Sequence, residues 1–412
     1  MKYVINDEVV LSRPLEGPLA AHIGLFANWM RQQGYALCSL HRQVLIAACF
    51  SRWVGRKGVR LRTLSTEHAT QYLRHRARRV RPQPGDAAAL RYLIEFLRRE
   101  EVIPAKKAPP PKLIPVERCA QAFERYLREE RVLATATIIN YVPFIRTFLK
   151  DQFGNGTVQL SHLCADDVVR FVQRQAPRLH LKRAKLLTTA LRCFLQYARY
   201  CGEVTVDLDA AVPVVANWSM TSIPRGIATD QVRQLLASIN RRTAMGRRDY
   251  AILLLLARLG LRSGQVAFLE LDDIDWNLGQ LNVRGKRGQR SELPLPAEVG
   301  KAIAAYLRRD RPDSTSRRVF LRAKAPIRGF RGASGVGSVV RHSLKRARIN
   351  APTHGAHQFR HGLATEMLRQ GASLSEIGEV LGHRHPQTTS IYIKVDIGAL
   401  RELALPWPGD RR

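Results

Sequence analysis

The chain is expected to be mainly α-helical with one small antiparallel β-sheet, and three features of its 412 residues lead there. Apolar residues recur at helical spacing through the first half and again towards the C-terminus. The run Ala251 to Ala257 is apolar on nearly all sides, the mark of a buried helix. Between Ile274 and Leu295, short β-favouring runs alternate with turns.

Taken in order, the helical segments fall into blocks. Pro104 to Lys112, with Pro109, Pro110 and Pro111, is an extended, semi-rigid linker. A second break lies near Pro213 to Ile227, where Pro213, Ser219, Ser222, Pro224 and Gly226 interrupt the pattern. The expected blocks are therefore 1–103, a linker 104–115, 116–212, a linker 213–227, 228–392 and a tail 393–412. The two helical blocks look like copies. Phe26 to Arg31 matches Phe123 to Arg128; Leu61, Leu64, Ala69 and Tyr72 match Leu160, Leu163, Val168 and Phe171; Ala89 to Arg91 matches Ala190 to Arg192. Three blocks in order, each shifted by about a hundred residues, predict a duplication. Shared amphipathic spacing alone is the competing explanation.

In the third block Thr229 is expected to cap a first helix, with Asp230 favouring its positive end. Gly260 permits a turn after the apolar helix and swings Arg262 out. Ile274–Trp276, Gln280–Arg284 and Arg290–Leu295 are expected strands, with Lys286 and Arg287 at a hairpin tip. A helix starting near Ala356 places His357 and Arg360 on one face. His361 points about a quarter-turn away and is expected to be structural; His354 is ambiguous. A short helix from Ser375 to Leu381 precedes Gly382 and His383, with His385 close by as a competitor.

Sixty-seven Lys and Arg against thirty-four Asp and Glu leave a formal charge of +33, with a pI near 11.0. Such a field attracts polyanions in a salt-dependent way. The 45% hydrophobic content argues against a disordered basic tail. No apolar run reaches about 18 residues and the N-terminus lacks a secretory layout, so no membrane role is expected. Cys38, Cys49, Cys119, Cys164, Cys193 and Cys201 form no CxxC and are expected as small core residues in a reducing cytosol. Neither a metal nor another cofactor is expected.

Two arginines, two histidines, a lysine and a tyrosine can cut a phosphodiester. Arginine forks hold the non-bridging oxygens and neutralise growing charge. Histidines move protons near neutral pH. A lysine ammonium protonates a leaving oxygen; Arg287 is the local competitor for this, but guanidinium is a poor proton donor. A tyrosine oxygen can attack phosphorus. Arg262, Lys286, His357-Gln358-Phe359-Arg360, Leu381-Gly382-His383 and Tyr392 present these groups in order.

That ordered set resembles the tyrosine recombinases, the phage-integrase family. The resemblance runs in layout from about residue 116 to 392, its motifs from about 228. It implies a catalytic domain at 228–392 and a helical core-binding domain at 116–212 that grips double-stranded DNA. The block 1–103 is then an additional related module. The implied reaction is metal- and ATP-independent cleavage and rejoining. Tyr392 forms a 3′-phosphotyrosyl link, Arg262, Arg360 and His383 stabilise the phosphorane, His357 deprotonates or orients, and Lys286 protonates the leaving oxygen. The family usually has an acid where this chain has Gln265, and Glu270 is a possible substitute. Lys182, Arg183 and Lys185, with Arg287, are candidate DNA contacts, or else members of solvated faces. The same two readings apply to the basic run Arg74 to Arg81.

Ile397, Leu400, Leu403, Leu405 and Trp407 make an apolar strip too short for a core. It docks on a neighbouring protomer of a homo-tetramer on DNA, or packs in cis. A bacterial, cytoplasmic, nucleoid-associated integrase or transposase of a mobile element is expected, with accessory recombinases as further partners. The alternatives are a type IB-like topoisomerase, a silent DNA-binding protein and a basic RNA-binding protein; no aromatic RNA-binding sheet signature supports the last.

Overall fold

Chain contacts divide the molecule into two units, residues 1–105 with 222–412, and residues 106–221. The computed structural model describes residues 3–5, 9–11, 14–104, 114–216, 225–285, 290–383 and 385–395. Most of the proline linker, residues 217–224 of the second break and the tail from residue 396 lie outside the described residues.

The first unit opens with a hairpin absent from the sequence expectation, β1 (Tyr3–Ile5) antiparallel to β2 (Val9–Leu11), where β-branched residues favour extension. Helices α1 (Ala20–Gln32), α2 (Leu37–Arg56), α3 (Thr66–Ala77) and α4 (Asp86–Arg99) follow, with a 3₁₀ turn at Leu61–Thr63. Their apolar stripes close a core around Phe26, Met30, Phe50, Leu93 and Leu97. The second unit has the same order: α5 (Pro115–Glu129), α6 (Thr135–Phe153), a 3₁₀ turn at Leu160–His162, α7 (Ala165–Gln175) and α8 (Leu181–Tyr200).

The likeness extends to ring packing. In the first bundle Phe26 lies 6.2 Å from Trp29 and 5.7 Å from Phe96, and Phe50 lies 5.3 Å from Tyr72. In the second, Phe123 lies 6.5 Å from Tyr126 and 5.4 Å from Tyr197, and Phe148 lies 5.0 Å from Phe171.

The rest of the first unit is built on α9 (Thr229–Ala237), α10 (Ala244–Arg258) and α11 (Ser263–Phe268). Ala228, rather than Thr229, holds the cap position of α9. The Thr229 hydroxyl donates to Glu366 Oε2 at 3.0 Å, a charge-assisted bond. Residues 251–256 of α10 are fully buried. A three-stranded antiparallel sheet follows, β3 (Ile274–Asp275), β4 (Gln280–Arg284) and β5 (Arg290–Pro294). β3 stops before Trp276 because Asp275 Oδ1 accepts from the Asn277 and Leu278 amides, both at 2.9 Å, and turns the chain. Then come α12 (Ala297–Arg309), α13 (Ala333–Ala347), α14 (His357–Arg369), α15 (Leu374–Leu381) and α16 (Pro386–Thr389), and a 3₁₀ helix Ser390–Val395.

The cysteines depart from expectation. All six are free thiols; Cys38, Cys164 and Cys201 are exposed, and Cys49, Cys119 and Cys193 are partly buried. The exposed three sit at helix ends, in the first turn of α2, before α7 and after α8, off the stripes that face the cores. Among the described residues no helix is long and apolar enough to cross a membrane, and no cluster of His, Cys, Asp and Glu has metal-site geometry.

Candidate active site

Burial of each α10 leucine contributes about 1.5–3 kcal/mol, which fixes the end of that helix. The chain then turns at Gly260, where φ is +58° and a Cβ would lie 2.8 Å from Leu381 Cδ2. Only glycine meets both conditions. The turn delivers Arg262 to the start of α11, where Gln265 Oε1 accepts from the Arg262 backbone N–H at 2.9 Å.

From α14, Arg360 reaches the same place. Its guanidinium is 3% exposed, donates to the Gly260 carbonyl at 2.9 Å and also donates to the Leu381 carbonyl. It thus braces the turn against the end of α15 and keeps further donors for a ligand. α15 begins with a reciprocal Ser373–Glu376 cap and ends at Gly382. The His383 N–H donates to the Gly378 carbonyl at 2.8 Å, and its Nδ1 shares a hydrogen bond of 2.8 Å with Thr389 Oγ1.

Tyr392 completes the arrangement from the 3₁₀ helix. Its ring packs in a small apolar cluster with Ala364, Ile377 and Leu381, apart from the main core. Its hydroxyl lies 3.0 Å from His361 Nδ1. The His383 ring is nearly parallel to the Tyr392 ring, 8° at 6.4 Å, while His361 meets both Tyr392 and His357 edge-on.

These side chains line one cavity of about 600 Å³, with Arg262, His357, Arg360, His361, His383 and Tyr392 in its walls. Burial lowers the Arg360 pKa to about 10, helped by the neighbouring Arg262 guanidinium and opposed by Tyr392. Arg262 is lowered by the same desolvation. Both remain cations at neutral pH. Burial, then His357 and Arg360, pulls His361 down to about 4. His383 is also pulled to about 4, by burial and then by Arg360 and Arg262. Both imidazoles are therefore neutral at pH 7. Burial raises the Tyr392 phenol, and Arg360 and Arg262 oppose that rise. Among the described residues the only carboxylate in the cavity wall is Glu379, which is exposed, so the cavity is an electropositive well suited to an oxyanion.

Five of the six residues singled out as catalytic, Arg262, His357, Arg360, His383 and Tyr392, meet here. Lys286 and Arg287 lie outside the described residues; Gly285, Ser291 and Leu293 line the cavity. Lys182, Arg183 and Lys185 are exposed at the start of α8, in the other unit, with Arg183 stacked 5.1 Å from the Phe144 ring. Glu270 does not stand in for an acid beside Arg262; Arg284 and Arg318 hold its carboxylate. His385 is exposed on the cavity rim. His361 was passed over, yet it makes the contact with the Tyr392 hydroxyl. A signal was available: His357 and His361 are four apart on one helix, a spacing that stacks side chains. Thr389, buried against His383, had no signal in the sequence.

The sequence model of the Phage integrase family matches residues 225–398, a stretch that contains the whole cavity. The "Putative integrase/recombinase y4rA" of Sinorhizobium fredii (strain NBRC 101917 / NGR234) is 59% identical over 410 residues, covering 100% of both chains. "Tyrosine recombinase XerD" of Mycobacterium tuberculosis (strain CDC 1551 / Oshkosh) is 29% identical over 70% of this chain and 96% of its own. Among solved structures, the XerH site-specific recombinase bound to palindromic difH substrate, a post-cleavage complex, superposes with a TM-score of 0.56. It has 18% identity and covers 84% of this chain and 98% of that one, a likeness of fold. These comparisons do not favour the topoisomerase or silent-binder readings. Since the matched stretch encloses the cavity and a full-length relative shares more than half its residues, the chain belongs to the tyrosine recombinases, the phage integrase family.

Proposed function

We propose that this cavity is where the chain, as a site-specific recombinase of its family, cuts and rejoins double-stranded DNA. The observation that carries the reading is the Tyr392 hydroxyl, held 3.0 Å from a neutral imidazole beside the buried Arg360 and the half-buried Arg262, with no neutralising acid between them among the described residues. The scissile phosphate enters the well, and Arg262 and Arg360 take its non-bridging oxygens. The Tyr392 oxygen attacks phosphorus, the P–O5′ bond breaks, and a 3′-phosphotyrosyl ester and a 5′-hydroxyl result. The phenolic proton passes to His361 Nδ1. The leaving oxygen takes a proton from Lys286. His383, aligned by Thr389, and His357 hydrogen-bond the phosphorane. Attack by the 5′-hydroxyl of a partner strand reverses these steps, so the ester conserves the bond energy.

A nicked suicide duplex tests this. Wild type accumulates a covalent adduct and Tyr392→Phe forms none; an adduct retained in Tyr392→Phe removes the nucleophile assignment.

The finer readings are proposals of the same standing. Residues 116–212 are a core-binding domain with Lys182, Arg183 and Lys185 against the backbone, and Arg287 adds a contact from the hairpin. Residues 1–103 are a duplicate of that domain, supported by the shared element order and matched ring contacts. The chain works as a tetramer, its tail docked in trans, as the integrase or transposase of a mobile element with accessory recombinases as partners. Removal of residues 398–412 spares DNA binding and weakens synapsis; unaltered assembly counts against the tail's role.

A further inference from the structure

The additional helical module meets the catalytic half at a second cavity, of about 320 Å³, that shares no residue with the first. The contact around it is close. The Gln33 carbonyl accepts from the Ile327 N–H at 2.9 Å, and a Cβ on Gly34 would lie 2.4 Å from Ile327 Cγ1. One wall is aromatic, formed by Trp29, Tyr35 and Tyr92; Tyr35 and Tyr92 meet edge-on at 6.1 Å. The other is cationic. Arg91 lies over the Tyr92 ring at 5.3 Å, and Arg328 and Arg331 come from the segment before α13. Glu95 is the single acid in the lining, and among the described residues no carboxylate pairs with any of these three arginines.

The three arginines of the lining, with no carboxylate partner among the described residues, are offset by an oxyanion bound in the cavity. Flat aromatic faces beside an anion site suit a base attached to a phosphate.

We infer that this cavity binds a nucleotide through its phosphate, with the base or sugar against Trp29, Tyr35 and Tyr92. The nucleotide is a unit of DNA or a free one; the phosphate chemistry is common to both. Either way the occupant touches both the module and the catalytic half, so its binding ties the module down. The inference does not depend on the cleavage reading above.

The test is calorimetric titration of the full-length chain with thymidine 5′-monophosphate and, separately, with thymidine. Phosphate also enters the first cavity, so titrations are repeated in Arg262→Ala, which weakens that contribution and leaves it the same in every variant compared. The monophosphate is expected to bind Arg262→Ala, thymidine to bind at least about tenfold more weakly, and Arg328→Gln/Arg331→Gln added to that background to lose at least about tenfold more. Trp29→Phe, which replaces the indole with a smaller ring, is expected to weaken monophosphate binding through the lost aromatic face. Equal binding of thymidine, or a monophosphate isotherm unmoved by the arginine changes, overturns the proposal. The source is read with a duplex probe. A fall of about 0.9 in the slope of log K against log salt in the double variant identifies a DNA phosphate. An unmoved slope alongside lost monophosphate binding identifies a free nucleotide.

Discussion

Replacing His361 separates holding the nucleophile from taking its proton. The Tyr392 side chain is 1% exposed and its hydroxyl has His361 Nδ1 at 3.0 Å. His361→Phe removes that partner and leaves a buried hydroxyl unpaired, at about 1–3 kcal/mol. At 1.36 kcal/mol per tenfold, this lowers the population of the docked tyrosine about 5- to 150-fold. His361→Gln restores an acceptor but cannot carry a proton at neutral pH. If the imidazole also receives the phenolic proton, the glutamine variant falls a further 10²–10⁴-fold short of wild type, roughly the worth of a general base. The assay is single-turnover adduct formation on a nicked duplex at saturating protein. With His361 pulled to about 4 by burial, His357 and Arg360, the wild-type rate has no inflection from this group above about pH 5 and falls as pH drops through 4. A His361→Phe rate within about threefold of wild type would refute the reasoning, because no useful hydrogen bond is worth so little at a buried phenol. A His361→Gln rate matching wild type would confine the residue to positioning.

Further outcomes follow from the same geometry. His361 and His383 bind protons in the unfolded chain near 6.5 but in the folded one only near 4. The unfolded state is therefore favoured as pH falls from about 6.5 to 4, and the melting temperature should drop across that window, less steeply in His361→Phe. Gly260→Ala combines a left-handed backbone with a Cβ 2.8 Å from Leu381 and should cost about 2–4 kcal/mol in denaturant unfolding. Thr389→Val releases His383 Nδ1 and should slow adduct formation about tenfold with duplex affinity unchanged. Gln265→Glu keeps the acceptor for the Arg262 N–H at a helix start and should gain about 0.3–1 kcal/mol of stability in denaturant unfolding.

Arg262, Arg360 and Tyr392 were legible in the sequence because Leu-Gly-Leu-Arg, His-Gln-Phe-Arg, Leu-Gly-His and a tyrosine follow one another in order, a set more specific than any of its members. The sheet was legible because β-favouring runs alternate with turns, with β4 at the expected residues. Misreadings arose where a polar side chain had two possible partners. Thr229 found Glu366 instead of its own helix, and Glu270 found Arg284 and Arg318 instead of Arg262. His361 was judged by its angle from Arg360 on one helix. Its partner arrives from a segment 31 residues later, and helix angles hold no information about that. Of the rings paired within the two bundles, the sequence matched Phe26 with Phe123, Trp29 with Tyr126 and Tyr72 with Phe171, and did not match Phe50 with Phe148 or Phe96 with Tyr197.

Tyr392 is carried on a 3₁₀ helix and seated in a four-residue apolar cluster outside the main core, and this sets its mobility. So small a seat opens far more cheaply than α10, whose leucines are sunk in the principal core. The reactive oxygen rides on a latch, and Arg360, braced on two backbone carbonyls, forms a fixed strike plate. Whatever grips the chain after the latch can then govern when a strand is cut while the phosphate-holding groups stay still. Amide exchange should report this as early labelling of residues 386–395 against late labelling of 251–256.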